Sequence, residues 1–180
     1  KSIRAAMRKL AARQEAEAVA ALNKGAFIVN KKADGFDVEK WKRETKAAMK
    51  GAHTSIVMKS VDDINRILGT STDNSTGNPK ITAAIEKLGD KVTGIVDTTK
   101  ADLDRVLREG IDAGESIPEL EARIHDVFKD LGGIEGYRAE MIARTESARA
   151  YDKGAIVAYD DFGTKVVDVI GCECNEEPCN

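Results

Sequence analysis

The sequence predicts a mainly α-helical protein, with long helices and a small β element near the C-terminal end. Only three prolines interrupt its 180 residues, so long elements can continue unbroken. Apolar residues recur every three or four positions over long segments, as they do on one face of a helix. One short run rich in β-branched residues, 164–170, follows the last of these segments and is typical of a strand.

Two helices are expected in the first 68 residues. The first spans 2–23, and Ser2 is placed to cap its start. Residues 25–35, with a glycine at each end, interrupt the helical pattern, and their apolar run 26–29 could form a short extended segment. Asp37 is expected to cap the second helix, over 38–68. The predicted apolar side of that helix consists of Trp41, Ala48, Ala52, Ile56, Ile64, Ile67 and Leu68.

Residues 69–79 form the clearest linker, because Gly, Ser, Thr, Asn and Asp make up almost all of it. Asn78 and Pro79 then suit the cap and first turn of a third helix, over 79–109. The apolar spacing of this helix predicts a coiled-coil-like seam, and a plain amphipathic helix on a globular core is the alternative. The seam residues are Ile81, Ile85, Leu88, Val92, Ile95 and Thr99, with Leu103 and Val106 after a one-residue shift.

The last two helices lie on either side of a glycine pair. A capping box formed by Ser116 and Glu119 opens the first of them, which should end at residues 132–133. The second is expected over 135–162 and should end at Gly163. Its predicted inward face consists of Tyr137, Met141, Ala148, Tyr151, Ala155 and Tyr159.

Charged residues of the last helix are spaced for local pairing. Glu140 and Arg144 are four residues apart, and Glu146 and Arg149 are three apart. Arg144 and Glu146 are only two apart and should point to nearly opposite sides, which argues against a joint catalytic role. The chain also lacks a recognisable nucleophile elbow, phosphate-binding loop or H-E-x-x-H motif. These observations favour a protein that is not an enzyme.

Charge is distributed unevenly along the chain, which has a net charge of −3. Residues 1–60 contain 14 Lys+Arg and 6 Asp+Glu, whereas residues 61–180 contain 14 and 25. A basic stripe of Arg4, Arg8, Lys9 and Arg13 could contact DNA phosphates, and solvated helix faces are the alternative. No segment approaches the roughly 20 apolar residues that cross a bilayer, so no membrane association is expected.

Three cysteines, Cys172, Cys174 and Cys179, lie within the last nine residues. A terminal cluster of this kind suits a local metal site, one disulfide or free thiols rather than a disulfide framework for the fold. Structural zinc takes about four ligands, and the cysteines supply three. The two histidines, His53 and His125, lie far away in helical patterns and are interpreted as ordinary helix residues.

Residues 142–163, IARTESARAYDKGAIVAYDDFG, resemble the signature of the phage Mu F-like head morphogenesis family, the minor capsid proteins of tailed phages. Residues 142–146 match the family's Ile-Ala-Arg-Thr-Glu core, and Tyr159 matches the aromatic end of its helix. Residues 98–124 resemble the helix, turn and helix that precede this core. Asp152 stands where the family often has Asn, and the family's further His-Pro-x-Cys-x-Cys stretch has no counterpart here.

Charge and composition predict a basic helical region over 1–68 and a linker over 69–79, and the resemblance implies a Mu F-like domain over 80–180. It further implies a structural protein of the virion, assembled in the host cytoplasm, that acts at the portal vertex in head assembly or genome packaging and delivery. The implied partners are the portal protein, other capsid or scaffold proteins, genomic DNA and further copies of the chain. No cofactor is implied, apart from structural zinc at the cysteines.

The resemblance also points to a structural core motif and leaves two other functions open. The motif consists of Ile142, Arg144, Thr145, Glu146 and Tyr159. The first alternative is a toxin-like nuclease or transferase domain attached to a phage head protein. The second is a helical DNA-binding module.

Overall fold

The computed structural model describes residues 2–26, 33, 35–132 and 137–163, and it confirms a mainly helical fold over them. The helices are α1 (Ile3–Asn23), α2 (Val38–Leu68), α3 (Pro79–Val92), α4 (Gly94–Asp112), α5 (Ile117–Gly132) and α6 (Tyr137–Asp161). No strand occurs among the described residues. The predicted strand at 164–170, residues 27–29 of the extended segment and the three cysteines lie outside them.

Side-chain caps fix several helix starts where the sequence predicts them. The caps, with the residues whose backbone N–H they accept from, are Ser2 with Ala5 (3.3 Å), Asp37 with Lys40 (2.9 Å) and Asn78 with Lys80 (2.9 Å). In the capping box of α5, the carboxylate of Glu119 accepts from both the N–H and the hydroxyl of Ser116, at 2.7 Å each. These bonds satisfy backbone donors that have no partner inside the helix.

The helix predicted over 79–109 is two helices, because the chain turns at Thr93 between α3 and α4. The Thr93 hydroxyl donates to the carbonyl of Asp90 at 2.7 Å, and Gly94, which has low helix propensity, opens the next helix. The prediction of one continuous coiled-coil-like seam is therefore wrong. All seam residues except the half-buried Ile95 are buried within this chain, as the amphipathic-helix alternative predicts.

Two hydrophobic clusters hold the helices together. The first lies between α1, the N-terminal half of α2, α4 and α5, and it contains Trp41, Leu107 and Phe128. The second lies between the C-terminal half of α2, α3 and α6. Because α2 contributes to both clusters, this 31-residue helix joins them into one packed body. The seam residues Ile81, Ile85 and Leu88 belong to the second cluster, whereas Val92, Leu103 and Val106 belong to the first.

Both clusters draw residues from each side of the predicted linker, 69–79. The side-chain oxygen of Asn65, in α2, accepts hydrogen bonds from the Thr70 hydroxyl and the Thr72 N–H, and its amide donates to the Thr72 carbonyl. Within the segment, the Asn78 amide donates to the carbonyl of Asp73 at 2.8 Å. The segment is therefore held in place by polar contacts to the end of α2 and within itself. The division into a region 1–68, a linker and a domain 80–180 stays a prediction.

The apolar side predicted for α2 is shifted from the one that the fold buries. Trp41 and Ile64 are buried as expected, whereas Ala48 and Ile67 are exposed. The buried face consists of Trp41, Thr45, Met49, His53, Val57, Ser60, Val61 and Ile64. Three of these side chains are polar, which is why apolar periodicity alone missed this face. Among the described helices, none is long and apolar enough to cross a membrane.

Candidate functional site

The polar centre of the molecule lies where α2 and α6 cross. Three small residues of α6 form its buried side here: Ala150, Gly154 and Ala158. A Cβ atom on Gly154 would stand 2.4 Å from the carbonyl oxygen of Val57, so glycine permits the backbones to approach. The Ser60 hydroxyl donates to the carbonyl of Tyr151 at 2.6 Å, and this bond ties the two helices together.

About two turns before this close contact, α6 carries a buried carboxylate, Glu146, which is only 3% exposed. Its Oε1 accepts a hydrogen bond of 2.6 Å from Nη1 of Arg149, three residues later on α6. Its Oε2 lies 3.5 Å from Nε2 of His53, a fully buried residue of α2. Since a buried charge is costly unless it is paired, Arg149 and His53 allow Glu146 to occupy this position.

The environment of Glu146 lowers the pKa of its carboxyl group. Burial by itself would raise the pKa of this carboxyl, but contact with His53 and the hydrogen bond and charge of Arg149 outweigh burial and lower the pKa below its ordinary value of 4.5. The pair with His53 is an ion pair when the imidazole is protonated and a polar contact when it is neutral. Glu146 therefore favours its charged form within the α2–α6 contact.

A shallow groove of about 340 Å³ runs beside this polar centre, between the start of α4 and the N-terminal half of α6. Ile95, Tyr137, Met141 and Ile142 supply most of its apolar wall, and Thr145, Glu146 and Arg149 supply polar atoms. Arg138, which also lines the groove, donates a 3.0 Å hydrogen bond to Asp102 of α4. The groove has room for an apolar side chain of a partner. Its one buried carboxylate, Glu146, already contacts Arg149 and His53.

The structure divides the predicted core motif between the interior and the surface. Glu146 is buried, and Ile142 and Tyr159 are half-buried against the two hydrophobic clusters. Thr145 is exposed, and the Arg144 side chain is 79% exposed. Arg144 and Glu146 do point away from each other, as their spacing predicts. Both predicted pairs are present, since Arg144 donates to Glu140 at 3.0 Å and Arg149 to Glu146 at 2.6 Å.

The prediction of which residues of α6 face inward is largely wrong. Tyr137, Met141, Ala148 and Tyr151 are exposed, while Ala155 and Tyr159 are half-buried. The buried face consists of Ala139, Glu146, Ala150, Gly154, Val157 and Ala158. The physical reason is the short distance between α2 and α6, which small side chains allow and large ones would prevent. The larger apolar residues of α6 consequently remain on its outer side.

The basic stripe of α1 is partly occupied by contacts within the chain. Arg4 lies 3.3 Å from Glu140 of α6, and Arg13 lies 2.6 Å from Glu44 of α2. Arg8 is half-buried, whereas Lys9 is exposed. The two ion pairs fix α1 to its neighbours, and DNA contact by the stripe stays a prediction.

The residue that sequence reasoning missed is His53. Its position four residues after Met49 and four before Val57 places it on the buried face of α2, and this spacing was the available signal. Neither ring nitrogen of His53 makes a hydrogen bond in the part of the chain that the structure describes, so its 3.5 Å approach to Glu146 is a charge contact only. The same part contains no cluster of three or more His, Cys, Asp or Glu side chains suited to a metal ion.

Comparisons with models of protein families, with curated proteins and with solved structures found no match to this chain.

Proposed function

We propose that this chain is a structural, non-enzymatic protein of a tailed-phage head, which acts at the portal vertex in head assembly or genome packaging and delivery. The observation that carries the proposal is the engagement of Glu146, the acidic residue of the Ile-Ala-Arg-Thr-Glu motif. This carboxylate contacts His53 of α2 across the helix–helix contact, and it accepts a hydrogen bond from Arg149 of its own helix. A motif whose acidic member is buried and paired suits a role in holding helices.

The arrangement of the motif also argues against the enzyme alternative. A nuclease or transferase needs its catalytic groups to converge on one reacting atom. Arg144 extends into solvent on the side of α6 away from Glu146, and its guanidinium pairs with Glu140. The two charged residues of the motif therefore cannot act on one substrate in this conformation.

The experiment deletes the coding sequence of this chain from the phage that carries it and supplies the chain from a plasmid in the host. The wild-type chain should restore infectious heads, and a tagged copy should be located at the portal vertex by electron microscopy of purified particles. Glu146→Leu should reduce the yield of heads, because it removes the partner of His53 and Arg149. Glu86→Gln is the matched control, since Glu86 is an exposed glutamate on α3.

Two results would overturn the proposal. Heads that form normally without the chain, and that never contain it, would exclude a structural role. A nuclease or transferase turnover of the purified chain that Arg144→Ala abolishes, with the helical circular dichroism unchanged, would establish the enzyme instead.

A further inference from the structure

An open groove of about 610 Å³ lies between α1 and α2, compared with about 340 Å³ for the groove beside Glu146. A Cβ atom on Gly51 would meet no other atom within 4 Å, so this α1–α2 groove is open above α2. Its volume leaves room for side chains of another molecule. Small residues make up most of its lining: Ala5, Ala6, Ala47, Ala48, Gly51 and Ala52.

The α1–α2 groove follows two antiparallel helices. Arg13 of α1 pairs with Glu44 of α2 at 2.6 Å, and the Trp41 indole N–H donates to Glu17 about one turn further along, at 2.9 Å. From Ala5 to Arg13 the groove extends for about 12 Å, at 1.5 Å per helical residue. That length corresponds to about two turns of a further helix lying along α1 and α2.

The groove presents positive charge and its lining contains no carboxylate. Lys9 lines it, is exposed and has no ion pair among the described residues. On the α2 side, Arg43 and Lys50 are exposed within one turn of Ala47, and they likewise lack an ion pair in the described part of the chain. A partner that covers the groove therefore meets three uncompensated cations, and carboxylates at its edges would complement them.

A helix fits this groove better than an extended peptide or a DNA duplex does. The lining residues are all helical, so an extended peptide would find no free backbone groups to bond there. A helix satisfies its own backbone and presents apolar side chains every three or four residues. The phosphates of DNA would use the cations, but they would leave the apolar floor of the groove without a partner.

We propose that the α1–α2 groove binds an acidic amphipathic helix of a partner protein. The apolar side chains of that helix lie between α1 and α2, and its carboxylates lie beside Lys9, Arg43 and Lys50. This inference does not rest on the phage-head function, because it concerns the purified chain. Peptide binding in solution and head formation in the phage are separate measurements, so the failure of one is distinguishable from the failure of the other.

The probe is a fluorescein-labelled synthetic helix of about five turns, with leucines at three- and four-residue spacing and glutamates on both sides. Fluorescence anisotropy with the full chain should give a dissociation constant below about 100 μM. A matched peptide with lysine in place of every glutamate should bind at least about tenfold more weakly, because its cations would face those of the groove. A glutamate peptide that stays unbound up to about 1 mM chain would overturn the proposal, as would equal binding of the lysine peptide.

Two substitutions test the apolar floor and the charge separately. Gly51→Leu fills the groove and should weaken binding at least about tenfold, whereas Ala101→Leu, at an exposed position of α4, should leave it unchanged. Lys9→Glu should weaken the glutamate peptide and strengthen the lysine peptide. Lys129→Glu, at an exposed position of α5, changes the net charge equally and should affect neither. Circular dichroism checks that each variant keeps its helices.

Two further results would overturn the proposal. A folded Gly51→Leu chain that binds the glutamate peptide as tightly as wild type would place the peptide outside the groove. A short DNA duplex that binds more tightly than the glutamate peptide, is weakened by Lys9→Glu and is unaffected by Gly51→Leu would assign the cations to phosphates instead.

Discussion

Helices α4 and α5 meet in a different way from helices α2 and α6. Between α4 and α5, large apolar side chains such as Leu103, Leu107, Ile124 and Phe128 fill the space and are fully buried. Between α2 and α6, the buried residues include Gly154, the two alanines Ala150 and Ala158, and the charged Glu146. In the first contact, the buried residues are those that the apolar periodicity predicts. In the second contact, the buried face of α6 differs from the face that the apolar periodicity predicts.

The difference shows that this chain uses two kinds of packing, which are destabilised by opposite changes in side-chain volume. A contact filled by large side chains loses stability when atoms are removed, because a cavity remains. A contact built from small residues loses stability when atoms are added, because the backbones must separate. The two contacts can therefore be distinguished by substitutions that change the volume in opposite directions.

The largest effect is expected from truncation in the volume-filled contact. Leu107→Ala should lower the free energy of unfolding by about 2–5 kcal/mol, the range for a buried leucine. Ile67→Ala is the control, because Ile67 is exposed, and its effect should be below about 0.5 kcal/mol. Urea unfolding followed by circular dichroism measures both changes. Similar losses in the two variants would contradict the assignment of Leu107 to the core.

A smaller effect is expected from adding one carbon in the small-residue contact. Gly154→Ala should destabilise the fold by about 1–3 kcal/mol, because the new Cβ meets the carbonyl oxygen of Val57. Gly51→Ala should instead stabilise it, by up to about 1 kcal/mol, because Gly51 lies exposed in the middle of α2 with no atom near its Cβ position. Changes of the same sign in both variants would contradict the close approach of α2 and α6.

The smallest expected effect concerns pH and the buried Glu146. Because its pKa is lower in the folded chain than its ordinary value of 4.5, its contribution is complete above that pH and is lost as the pH falls through the folded value. Wild type should exceed Glu146→Gln in stability by about 1 kcal/mol at pH 7, and the gap should close in acid.

Urea midpoints between pH 7 and pH 3 measure this gap. Other carboxylates with lowered pKa values, such as Asp63 and Glu115, titrate equally in both variants and cancel in the comparison. A gap that stays constant down to pH 3 would show that the charge of Glu146 contributes nothing to the α2–α6 contact.

The sequence was sufficient where the signal is local. Asp37, Asn78 and the Ser116–Glu119 box cap helices at the predicted positions, since a cap acts within one turn. The break at Thr93 could not be predicted in this way, because the apolar spacing continues through it from Val92 to Val96, both of which are buried in the first cluster. The three cysteines and the predicted strand lie outside the described residues and stay predictions.

The candidate site required knowledge that one sequence does not contain. His53 and Glu146 belong to helices far apart in the chain, so no local spacing connects them. The burial of the small-residue face of α6 depends on the distance to α2, and apolar periodicity pointed to the other face. Only the pairs within α6, such as Glu146 with Arg149, were accessible from spacing, and both form.

The bond between Ser60 and Tyr151 has a consequence for the timing of biosynthesis. These residues are 91 positions apart, and the cluster beside them needs side chains from α2, α3 and α6. A ribosome that adds about 5–20 residues per second needs roughly 3–14 s to proceed from the end of α3 to the end of α6. During that interval Val61 and Ile81 lack the helix that later covers them, so the nascent chain exposes apolar surface to chaperones until α6 emerges.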